Sequence, residues 1–231
     1  MHLRAEYRVG PELKFLANLD MMHLMERTLR RAAIPYLLSE GFNPHIRLSM
    51  GTVLPVGLWG EREYFDLELQ AMPPEDFMRR MNQALPPGME IHSVQEYPAG
   101  TPSLMKMVNA AEYAFLIRPD GLDLGLITAQ IMDQGELWVQ SRGKNKLIQK
   151  DLRPGIYSLD VQPQAGADII NCKVSVNEPV NVRFDEILEV LTRWGVGLEL
   201  ILDFWRRGNY IKKGDRFYTP LEVLPPGRKC R

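Results

Sequence analysis

In the first half of the chain, prolines and glycines bound two stretches whose apolar residues recur at helical spacing. The runs between them alternate at the period of a strand. Residues 3–9 (LRAEYRV) place Leu3, Ala5, Tyr7 and Val9 on one side of an extended segment, and Gly10-Pro11 breaks it. A helix follows through MMHLMERTLRRAAI, with Asn18 or Asp20 as its cap and Pro35 as its stop. Its buried stripe is Met21, Leu24, Met25, Thr28, Leu29 and Ala32; Glu26, Arg27, Arg30 and Arg31 face water. Two short extended pieces, 36–39 and 46–50, flank a Gly-Phe-Asn-Pro turn, and 63–70 (EYFDLELQ) alternates as a strand with one wet face. Pro73-Pro74 opens a second helix over 75–85, Pro86-Pro87-Gly88 closes it, and 89–96 is a last strand.

Strand, helix, strand, strand, helix, strand is the order of a split βαβ unit, an antiparallel sheet with both helices on one face. The opposite face is expected to stay open as a docking surface. After a linker at 99–108 the plan repeats: strand 113–118, helix 124–132, strand 137–141, strand 168–176, helix 183–194 and strand 198–205, with 147–157 inserted. The expected fold is therefore α+β, two ferredoxin-like (split βαβ) units with antiparallel sheets. The expected boundaries are 1–98 for the unit carrying the GFNPH turn and 109–206 for the unit with the basic insertion. Residues 207–231 form a tail with a hairpin around Lys213-Gly214-Asp215.

The chain is 231 residues long, 45% hydrophobic and 25% charged, which suits a soluble globular protein. A formal net charge of −1 means that nucleic-acid binding has to come from a local patch. Cys172 and Cys230 build neither a disulfide framework nor a metal cluster. No apolar window approaches the roughly 20 residues of a membrane span. The charged N-terminus does not read as a signal peptide, so the expected location is the cytoplasm. Walker, GxGxxG, HExxH and GxSxG motifs are absent.

Polar groups concentrate in two places. In SEGFNPHIRLSMG (39–51), Asn43 shapes a turn beside His45 and Arg47, which share one face of an extended segment while Ile46 and Leu48 take the other. The planar fork of Arg47 and the turn's N–H groups suit a phosphate; the competing reading pairs Arg47 with a carboxylate such as Glu40. Asn18 and Asp20 are helix-start residues, or else Asp20 orients His45 or Arg47. The second place is the basic run Arg142, Lys144, Lys146, Lys150 and Arg153, with Asp151 inside it. It is either a phosphate-binding loop or a solvated surface. Cys172 reads as a small buried residue, and no metal site is expected.

The run LKFLANLDMMHLMERTLRRAAIPYLLSEGFNPHIRLSMGTVLPVG resembles the bacterial DUF2344 family, a radical-SAM-linked uncharacterised domain. The resemblance rests on Phe15–Asp20, Gly41–Ser49, Leu54–Gly57, Asp151–Pro154 and the Arg206–Tyr210 stretch. Ala17-Asn18 replaces the family's usual Ser-His, and Ile46 its usual Pro. The resemblance implies an accessory role beside a radical-SAM partner, which would carry SAM and an iron–sulfur cluster. This chain lacks the CxxxCxxC ligands and is expected to bind no cofactor itself. The leading expectation is a non-catalytic module recognising RNA or a ribonucleoprotein. The alternatives are an RNA-modifying or RNA-processing enzyme with His45 as acid or base, and a pure protein–protein adaptor.

Overall fold

Proline and glycine bound the helices much as their spacing predicts. A computed structural model describes residues 1–143 and 146–224, and the backbone of 229–230. The first elements are β1 (His2–Val9), α1 (Asn18–Arg31), β2 (Leu48–Met50), β3 (Trp59–Glu68), α2 (Pro74–Ala84), β4 (Met89–Tyr97) and the single turn α3 (Leu104–Met107). Next come β5 (Ala110–Ile117), α4 (Leu124–Met132), β6 (Trp138–Arg142), β7 (Leu147–Asp151), β8 (Ile156–Gln164), β9 (Ala167–Ser175) and α5 (Phe184–Arg193). The chain closes with β10 (Ile201–Lys213), β11 (Arg216–Tyr218) and β12 (Lys229–Cys230). Two compact units result: Met1–Val108 with Gly208–Arg231, and Asn109–Arg207. The C-terminal stretch read as a separate tail thus belongs to the first unit, where Asn209 bonds to Thr52 and Glu63. Its expected hairpin is present, with Lys213 opposite Arg216.

In the first unit the sheet runs β12-β4-β1-β3, with β2 added to β3, and these pairs are antiparallel. This is the split βαβ order with the second strand cut to three residues. Met21, Met25 and Leu29 of α1, with Phe77 and Met81 of α2, pack on Leu3, Ala5, Phe65, Leu67 and Ile91 of the strands. Pro74 occupies the first turn of α2, where its missing N–H costs nothing. The cap of α1 differs from expectation: Ala17 is the N-cap and no side chain caps the helix. Asn18 is its first residue, and Asp20 is an exposed first-turn charge that favours the helix dipole.

The face opposite the helices, expected to be open, is covered in part. The α3 turn and the stretch 219–224 lie over it, and Tyr64, Leu104, Leu221 and Leu224 form a second apolar cluster there. Arg4 is fully buried beneath them. Its guanidinium makes a bidentate pair with Asp66 at 2.7 and 2.9 Å and donates to the carbonyls of Pro102 and Pro220, each at 3.3 Å. Those bonds join the sheet to both covering segments. Burial, with the Glu6 carboxylate 2.5 Å from its hydroxyl, raises the Tyr64 phenol well above its ordinary value.

The second unit has the order β10-β5-β9-β8, again split βαβ, but its second sheet strand is β8. The stretch at 137–141, predicted to fill that place, instead forms β6 and pairs with β7 in a separate two-stranded ribbon. An inserted hairpin, not an inserted loop, therefore interrupts this unit. β8 was hidden because it is an edge strand with a largely exposed outer half and Pro163 near its end, a composition that resembles a loop. Asp123 caps α4 by accepting from the N–H of Leu126, and Glu186 of α5 reaches back to the N–H of Arg183. Cys172 is wholly buried on β9, and burial pushes its thiol well above the ordinary range, which disfavours a thiolate nucleophile.

Candidate nucleic-acid interface

The first unit holds the Gly-Phe-Asn-Pro turn as a small irregular loop. Leu38 and Ile46 form a bridge, the Ser39 N–H donates to the His45 carbonyl at 2.7 Å, and the His45 N–H donates to Ser39 Oγ at 3.0 Å. Gly41 adopts φ +125°, a conformation that disfavours any side chain. Ile46 turns into the core, while Asn43 and His45 face solvent and Phe42 is fully exposed. Backbone bonds thus fix His45, but no hydrogen bond or ion pair links Asp20 to His45 or Arg47 among the described residues. No side-chain hydrogen bond to the His45 imidazole is present among the described residues.

Arg47 is paired. Its guanidinium sits 2.8 Å from Glu68 and 3.8 Å from Glu40 and donates to the Leu38 carbonyl. The hydrogen bond to Glu68, reinforced by its charge, holds the guanidinium more firmly protonated than usual. Beside it lies a pocket of about 370 Å³ lined by His2, Arg47, Ser49, Asp66, Glu68 and Tyr97, among others. The imidazole in this pocket is that of His2, not His45. Glu68 offsets Arg47 there as Asp66 offsets Arg4, so the pocket has no surplus positive charge to attract a phosphate.

The basic run of the second unit divides sharply. Lys150, expected at a phosphate, has its ammonium 2.6 and 2.7 Å from the two carboxylate oxygens of Glu186 and bonds to the Asn181 carbonyl. Its side chain is 15% exposed and that of Glu186 2%. Arg153, also expected at a phosphate, spends its guanidinium on the carbonyls of Met132, Gln134 and Ile156. It thereby satisfies the open end of α4. Asp151 accepts from the backbone N–H groups of Leu137 and Arg153, closing the base of the ribbon. These three residues are structural. Lys144 lies outside the described residues.

Arg142 and Lys146 remain exposed at the ribbon's tip. Strand alternation puts Trp138, Gln140 and Arg142 on its outward side, across from Asp151, Gln149 and Leu147. Val139 and Ser141 face inward and are buried. Trp138 is 50% exposed, and its indole N–H donates to Glu136 at 2.7 Å. Trp138, Gln140 and Gln149 were not candidates on sequence grounds. The readable signal was Trp-x-Gln-x-Arg at strand period, ahead of a turn.

Two α+β units of split βαβ order, one bearing a partly cationic surface ribbon, define the fold class; no three His, Cys, Asp or Glu residues gather as metal ligands among the described residues. Within that class the chain belongs to the DUF2344 family: the model described as "Uncharacterized protein conserved in bacteria" matches residues 2–184. No curated protein matches the chain. Among solved structures it is similar to a chain of the "Crystal Structure of a Cbf5-Nop10-Gar1 Complex", with a TM-score of 0.51 and 12% identity over 95% of this chain and 53% of that one. The chain thus spans about half the length of that relative, and the likeness concerns fold. An unknown protein from Galdieria sulphuraria aligns over 91% of this chain and 98% of its own, at 13% identity and a TM-score of only 0.25. No helix among the described residues is long and apolar enough to cross a membrane.

Proposed function

We propose that this protein is a non-catalytic accessory module that binds RNA through the β6–β7 ribbon, in the service of a radical-SAM partner. The observation that carries the RNA reading is the ribbon's outward side. It lies outside the sheet of its unit and ends in the exposed cations Arg142 and Lys146. Exposed cations on a two-stranded element can track a phosphate backbone although the chain as a whole carries a net charge of −1. The radical-SAM partner rests on the family resemblance alone. Filter binding of mixed cellular RNA across a salt series tests the reading. Affinity should fall as salt rises, and the double change Arg142→Ala and Lys146→Ala should flatten the slope by up to about two charges. No retention at low salt would end it.

A protein–protein role for the first unit has its own support. The family-like runs carry large apolar side chains in water: Phe15, Leu19, Phe42 and Val56. Such a surface suits a protein better than a polyanion, and it leaves the ribbon available for RNA.

A further inference from the structure

We infer that Trp138 is a stacking platform for an unpaired base, so that the ribbon selects single-stranded RNA over duplex. This rests on the RNA reading above and names the substrate class of the same element. The indole is half exposed, and its N–H donates to the neighbouring Glu136. The strand beneath it is itself anchored: Val139 and Ser141 are buried on the inward side, and the neighbouring β7 is tied through Lys150 to the buried Glu186 of α5. Trp138 and Arg142 lie on the same side of β6, four residues apart, or roughly 13 Å at strand rise. Between them Gln140 stands opposite Gln149, two amides that can donate and accept at base edges.

A ring face, a pair of amides and a terminal guanidinium in line match a splayed strand: a base on the ring, edges at the amides, a phosphate at the cation. A duplex hides its base faces and could use only the phosphate contacts.

The test is fluorescence anisotropy with labelled oligouridylate, alone and annealed to oligoadenylate. The full chain is compared with Trp138→Ala and Trp138→Phe, the fold of each being checked by circular dichroism. Trp138→Ala should weaken single-strand binding about 5- to 150-fold, from stacking worth roughly 1–3 kcal/mol per base, while leaving the salt slope unchanged. Trp138→Phe should recover most of the loss, and the duplex should bind more weakly than the single strand. Salt-dependent binding that is equal for strand and duplex, or indifferent to Trp138→Ala, would overturn the stacking inference and leave the RNA reading standing. Failure of both probes to bind at low salt would overturn both.

Discussion

Replacing Arg4 by methionine is expected to destabilise the first unit by about 3–5 kcal/mol, read as a fall in the urea midpoint. The guanidinium is fully buried and carries a bidentate bond to Asp66 plus bonds to the Pro102 and Pro220 carbonyls. Removing it leaves the Asp66 carboxylate, 9% exposed, without its counter-charge, and leaves two carbonyls without their donor. It also cuts the ties that hold the α3 turn and the stretch 219–224 on the sheet. Methionine keeps part of the side chain's volume, so the loss reports the charge and its bonds rather than a cavity. Adding Asp66→Leu in the same chain should return much of the stability, because a buried pair replaced by apolar groups is often neutral. A loss under about 1 kcal/mol for Arg4→Met would mean that the arginine is not the link between these segments.

Lys150→Met should cost the second unit a comparable amount, about 3–5 kcal/mol, because it strands Glu186 as a buried carboxylate. Arg183 stands 3.5 Å from the same carboxylate and softens the loss toward the lower figure. The same variant separates two roles that a list of basic residues cannot. A phosphate contact would weaken RNA binding uniformly and leave stability alone; a structural lysine does the reverse at temperatures where the fold survives. Denaturant unfolding alongside RNA titration at low temperature checks this. Unchanged stability with weakened binding would restore Lys150 to the interface.

The first unit was legible because its signals are local. Pro35, Pro73-Pro74 and Pro86-Pro87-Gly88 delimit helices whose apolar residues recur at helical spacing, and Leu3–Val9 and 63–70 alternate clearly. The cover on its sheet was not legible. An alternating Arg4 or Asp66 reads as solvent-facing until the segments that bury it, 98 and 216 residues beyond Arg4, are known. The second unit was harder because β6 and β8 compete for the same place in the order. β6 has the more strand-like sequence, yet the sheet takes β8 and leaves β6 in the ribbon. The pairing of Lys150 and Arg153 was hidden for the same reason as that of Arg4. Charge can be counted along a sequence, whereas Glu186 lies 36 residues beyond Lys150, and two of the three carbonyls that hold Arg153 lie at the far end of α4. Among the described residues of the run, Arg142 and Lys146 stay exposed on the ribbon that also carries Trp138, which hydrophobic counting assigns to a core.

Ultraviolet crosslinking of bound single-stranded RNA, followed by peptide mapping of the full chain, addresses the ribbon most directly. Crosslinks concentrated between Trp138 and Gln149, and lost with Trp138→Ala, are the predicted result. Crosslinks confined to the first unit, or spread without preference over the exposed arginines of α1 and α2, would contradict it.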